Sequence, residues 1–181
     1  MVVQKNSPTW SDVKAKLADF DRASLQGLVK DLYGASKDNQ TFLHARFGLG
    51  TDVLQPYKTK IDRWLSPDVL KNQDVSVSKA KKAITDYKKA IGRPEELAEL
   101  MVFYCERASD FSNSFGFADE AYFNALVMMF EQALKSLATL PTDQRDALLD
   151  RLSDVRSISH NFGYGVGDEM DVLLVEYKDD A

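Results

Sequence analysis

LAELMVFYCERASDF, residues 97–111, and FADEAYFNALVMMFEQAL, residues 117–134, decide the fold. In the first stretch Leu97, Leu100, Met101, Val102, Phe103, Tyr104, Cys105 and Ala108 leave almost no polar face when wound at 100° per residue. The run from Ala125 to Phe130, ALVMMF, does the same in the second. A helix without a clear polar face is buried on several sides. Pro94 is placed to open the first helix, and Glu95 and Glu96 suit the positive end of its dipole. Two helices, 94–111 and 119–137, are therefore expected as the spine of the molecule.

Outward from this pair the apolar residues keep the 3–4 spacing of amphipathic helices. Trp10, Val13, Leu17 and Phe20 form one stripe, with Thr9 or Ser11 as cap, and Leu25, Leu28, Val29, Leu32 and Tyr33 form a second. Asp38 is expected to cap a short helix carrying Phe42, Leu43 and Phe47. Pro56 leads into Tyr57, Ile61, Trp64 and Leu65, followed by a brief turn of helix to Leu70. Ser76 or Ser78 opens a helix with Val77, Ala80, Ile84, Tyr87 and Ile91 on one face. On the other side of the spine, Leu148, Leu152 and Val155 face inward, residues 157–167 read as irregular, and Asp168 is expected to cap a last helix carrying Met170, Leu173, Leu174 and Tyr177. Only residues 74–77 hint at a strand. The expected fold is all-α: an irregular multi-helix bundle, or a short α-solenoid-like array of helical hairpins, with eight or nine helices. It forms a single domain over residues 1–181, with a possible hinge near 66–76.

With 44% apolar and 28% charged residues, the 181-residue chain has enough apolar content for a packed core, which excludes a disordered class. No apolar run approaches the ~20 residues of a membrane span, and no apolar core of a signal peptide is present, so no membrane association is expected. One cysteine, Cys105, allows no internal disulfide and fits a cytoplasmic setting. The net charge of −5 is uneven: residues 57–93 hold 10 basic and 4 acidic groups, whereas residues 94–181 hold 6 basic and 18 acidic.

Three further stretches, LVKDLYGASKDNQTFLHARF (28–47), SKAKKAITDYKKA (78–90) and GYGVGD (163–168), combine with the two spine segments. Together they resemble an uncharacterised bacterial family of roughly 180-residue all-helical proteins, a domain of unknown function. The resemblance implies a single helical domain and carries no activity.

Catalytic sets are incomplete. Nucleophilic catalysis needs a base within hydrogen-bond reach, and the imidazoles are His44, on an apolar short helix, and His160. Cys105 lies in the most apolar helix, where a thiol keeps its proton and is inert. Zinc wants several Cys or His ligands, and a di-iron bundle shows Glu-x-x-His on two helices. Neither pattern is present, so no metal centre and no cofactor is expected. GYGVG lacks the strand and the G-x-G-x-x-G spacing of dinucleotide binding.

Two features remain. Lys79, Lys82, Lys89 and Arg93 form a basic patch on the helix 78–93, suited to phosphate and interrupted by Asp86. Two loops, NSFGFAD (113–119) and HNFGYGVGD (160–168), pair aromatics with glycine and end in an acid. They are expected to meet in one concave ligand or partner site with Phe117, Tyr122, His160, Tyr164 and Asp168 as contacts. The expected function is an interaction or scaffold module for a protein partner or for a second copy. The alternative is a nucleic-acid-associated module using the lysine helix, and an enzyme ranks behind both.

Overall fold

A computed structural model describes residues 7–180, and among them every regular element is helical. Nine α-helices occur: α1 (Trp10–Leu17), α2 (Arg22–Ala35), α3 (Lys37–Arg46), α4 (Gln55–Leu65), α5 (Val77–Ala90), α6 (Pro94–Phe115), α7 (Glu120–Leu137), α8 (Thr142–Ser159) and α9 (Val166–Asp180). A 3₁₀ turn, Val69–Lys71, separates α4 from α5, and residues 74–77 form no strand. No helix among the described residues is long and apolar enough to cross a membrane.

The chain divides into two compact units, Met1–Leu43 and His44–Ala181. The segment 66–76, expected as a hinge, lies inside the second unit, where the Ser76 N–H donates to the Trp64 carbonyl at 2.9 Å.

In the first unit, polar side chains define the helix ends. The Thr9 N–H donates to Asp12 Oδ2 at 2.7 Å, and Asp21 accepts from the Ser24 N–H at 2.7 Å. Ser36, rather than Asp38, caps α3, accepting from the Asn39 N–H at 3.1 Å. Asn39 and Gln40 in turn donate to the carbonyls of Leu32 and Tyr33, so α3 supplies donors to the open end of α2. The stripes expected on α1 and α2 form as spaced, yet neither helix buries a residue.

The second unit holds the core. As expected, α6 is its centre: it packs against α4, α5, α7 and α8, while α7 also meets α8 and α9. Leu100, Tyr104, Cys105, Leu126, Phe130 and Leu137 are fully buried along the two spine helices. Met101 departs from the expectation, being only partly buried at the edge of the core. The helix α6 runs four residues past its expected end at Phe111 and takes residues 113–115 of the first loop into the helix. Gly116 stops it, adopting φ 63°, the left-handed conformation that L side chains resist.

An ionic cluster ties α4, α6 and α8 together over this core. The Arg151 guanidinium donates to both carboxylate oxygens of Glu106, at 2.7 and 2.8 Å, and to Glu99 Oε2 at 2.5 Å. Lys58 Nζ meets Glu99 Oε1 at 2.6 Å. Burial pushes the Glu99 carboxyl up, but the hydrogen bonds and charges of Arg151 and Lys58 outweigh it and hold the group below its ordinary 4.5.

Candidate functional site

The two aromatic–glycine loops arrive at the same end of the second unit. Phe117 packs on Tyr122 with ring centroids 5.0 Å apart, and Tyr122 neighbours Phe123 at 6.3 Å. Phe123 then stacks on Phe162 at 5.3 Å and meets Tyr164 at 5.9 Å. Phe123, which sequence reasoning did not single out, is thus the ring that joins the loops. Its place beside Tyr122 on α7 follows from Asp119, which accepts from the Tyr122 N–H at 2.8 Å and starts the helix there.

The five residues expected as contacts divide between different tasks. Tyr122 is 2% exposed and works as a clasp. Its hydroxyl lies 2.9 Å from the Leu65 carbonyl and 3.3 Å from that of Ala108, so one O–H satisfies the C-terminal end of α4 from inside the core. Burial pushes this hydroxyl well above the usual tyrosine range. Phe117 lines a groove of about 310 Å³ together with Val75, Ser78 and Ala121, and His160, Tyr164 and Asp168 are not among its walls. Tyr122→Phe is expected to cost about 1–2 kcal/mol in urea unfolding, because the Leu65 carbonyl is left buried without its donor.

His160 and Asp168 belong to a second cluster, built by the turn between α8 and α9. The helix α8 runs three residues into the stretch expected to be irregular, to Ser159, so that His160 caps its end. Tyr164 and Gly165 then take φ 63° and 68° and reverse the chain. Gly167 passes so close that a Cβ there would stand 2.6 Å from His160 Nδ1 and 2.8 Å from His160 Cα. Glycine alone admits this approach. Asp168 does not cap α9 as expected, because that helix already begins at Val166; it stands in the first turn, with Asp171 one turn on. His160 Nδ1 is 3.9 Å from Asp168 Oδ1, and Nε2 is 3.2 Å from Asp171 Oδ2. Arg156, one turn before His160, donates from Nη1 to Asp171 Oδ1 at 2.8 Å. His160 and Asp171 are about 40% exposed and Asp168 is 89% exposed, so the cluster opens to solvent.

Asp171, Arg156 and Gly167 were not singled out in the sequence. The available signal was spacing: Arg156 and His160 are four apart on one helix, Asp168 and Asp171 three apart on the next, and such pairs share a face.

The basic patch is largely engaged within the chain. Lys79 Nζ lies over the Trp64 ring, 3.9 Å from its centroid. Lys82 pairs with Asp86 at 2.5 Å and Arg93 with Glu96 at 3.2 Å, while Lys89 is exposed. Asp86 and Glu96 therefore offset the charge that a phosphate backbone would need. Comparison with protein families, with curated proteins and with solved structures finds no match to this chain.

Proposed function

We propose that this chain is a cytoplasmic interaction module that binds a second copy of itself through the apolar faces of α1 and α2. The observation that carries this reading is the state of those faces. Trp10 is 69% exposed, and Val13, Phe20, Leu25, Val29 and Leu32 are each between 41% and 50% exposed. Helices of 8 and 14 residues are marginal in isolation and depend on packing of an apolar face.

Two features favour a second copy as the occupant. Residues 10–35 carry four acidic and four basic side chains, so two copies of this surface meet without net repulsion. Six exposed apolar side chains within residues 10–32 supply the apolar centre that a stable interface, ~800 Å² from each partner, needs. A two-fold pairing needs only such a self-complementary patch. The buried, unpaired Cys105 accords with a reducing compartment.

Sedimentation velocity between ~1 and ~200 µM is expected to show a monomer–dimer equilibrium. Val29→Asp and Leu32→Asp are expected to weaken it at least about tenfold while circular dichroism keeps its helical amplitude. Raising salt is expected to leave the dimer intact, since its interface is apolar. A monomer throughout the range, or a dimer indifferent to both substitutions, overturns the reading.

A further inference from the structure

We propose that His160, Asp168 and Asp171 form a binding site for a borderline divalent transition-metal ion, zinc above all. One atom from each of the three side chains falls within a cluster whose members all lie within 4.8 Å of one another. Two ligands held 2.0–2.2 Å from one zinc ion are about 3–4 Å apart. His160 Nε2 to Asp171 Oδ2, at 3.2 Å, falls in that range. A single ion takes one nitrogen of the imidazole, and the Asp168 oxygen lies within 4.8 Å of the atoms the other two offer, so its exposed carboxylate needs only a rotation to close on the ion.

The donor set selects the class of ion. One imidazole with two carboxylates suits zinc and its first-row neighbours, whereas magnesium and calcium prefer oxygen alone. Three protein ligands leave a position for water, as in zinc sites that are not purely structural. Arg156 occupies the other side of Asp171, on Oδ1, and leaves Oδ2 facing the imidazole. Holding a ligating carboxylate by its second oxygen is the usual way such ligands are oriented. The two carboxylates exceed the single arginine charge, so the cluster keeps a net attraction for a cation. Gly167 contributes by absence: any side chain there would drive His160 off this position.

The test uses the full chain, stripped with chelator, and zinc chloride as the probe. Isothermal titration is expected to show one ion per chain. His160→Gln, Asp168→Asn and Asp171→Asn are each expected to weaken uptake at least about tenfold. His44→Gln is expected to leave it unchanged, and a tenfold excess of magnesium is expected not to compete. The wild-type protein supplies a second readout that needs no variant. The chain has two histidines, and substoichiometric cobalt is expected to broaden the ring resonances of His160 and spare those of His44. No uptake at ~1 mM zinc overturns the proposal. Uptake that survives both His160→Gln and Asp171→Asn, or cobalt broadening on His44 alone, overturns it equally. None of these readouts depends on whether the chain dimerises.

Discussion

Replacing Phe130 by alanine is expected to lower the unfolding free energy by about 3–5 kcal/mol, the range for removing a large aromatic ring from a packed core. Phe130 is 0% exposed on α7, a helix that packs against α6, α8 and α9. Collapse around the missing ring would require several helices to shift together, so most of the cavity should persist. Small domains are stable by only about 5–15 kcal/mol, and the loss therefore consumes a large part of the margin. Urea unfolding followed by circular dichroism should show a lower midpoint with an unchanged slope. Met101→Ala provides the contrast. Met101 is only partly buried, and its truncation is expected to cost about 1–2 kcal/mol, because the site can refill with solvent or relax. Equal losses at the two positions would contradict the placement of the core.

Arg151→Ala is expected to cost about 2–3 kcal/mol, below the 3–5 kcal/mol of a fully buried pair because the guanidinium is one-third exposed. Removing it leaves Glu99 and Glu106 together on α6, half-shielded from water and with Lys58 as the remaining cation on Glu99. The same cluster sets a pH signature. Glu99 has its carboxyl held below 4.5 in the folded chain, so the unfolded chain binds the proton more readily. The stability this group contributes is therefore complete above about pH 4.5 and is lost as the pH falls through the lower folded value. Urea midpoints measured from pH 7 to pH 3 should drop in the wild type below about pH 4.5, and drop less steeply in Arg151→Ala, which starts lower. Parallel curves would show that Arg151 does not depress Glu99.

Periodicity told which face of each helix is apolar, but not what covers it. The stripes on α4 and α5 have the same spacing as those on α1 and α2. Tyr57, Ile61 and Tyr87 are nevertheless buried, while Trp10, Val29 and Leu32 stay exposed. The division at Leu43 falls within the continuous helix α3, where no proline, glycine or charge run marks it. The spine was legible because helices this apolar belong at the centre, although one face of each, carrying Met101 and Met128, reaches the surface. The aromatic loops were legible as a pair, since glycine and aromatic content set both apart. The residues that join them were not. Phe123 is one more aromatic on an apolar helix until Phe162 stacks on it. Asp171 reads as a solvated acid until the left-handed turn at Tyr164 and Gly165 brings α9 back beside His160. Approach across a turn depends on two dihedral angles and on a missing Cβ, and neither leaves a periodic trace.

Cys105 lies at the middle of α6 with no exposed surface, and burial, followed by the neighbouring charge of Glu106, pushes its thiol far above the ordinary range. A disulfide-exchange reagent needs the thiolate and room to attack it, so it can label only molecules in which α6 has been uncovered. As the chain's one sulfhydryl, it turns the rate of that reaction into a clock for the opening of the bundle. The protein thus carries its own gauge of how often its interior meets solvent, placed on the helix against which four others pack.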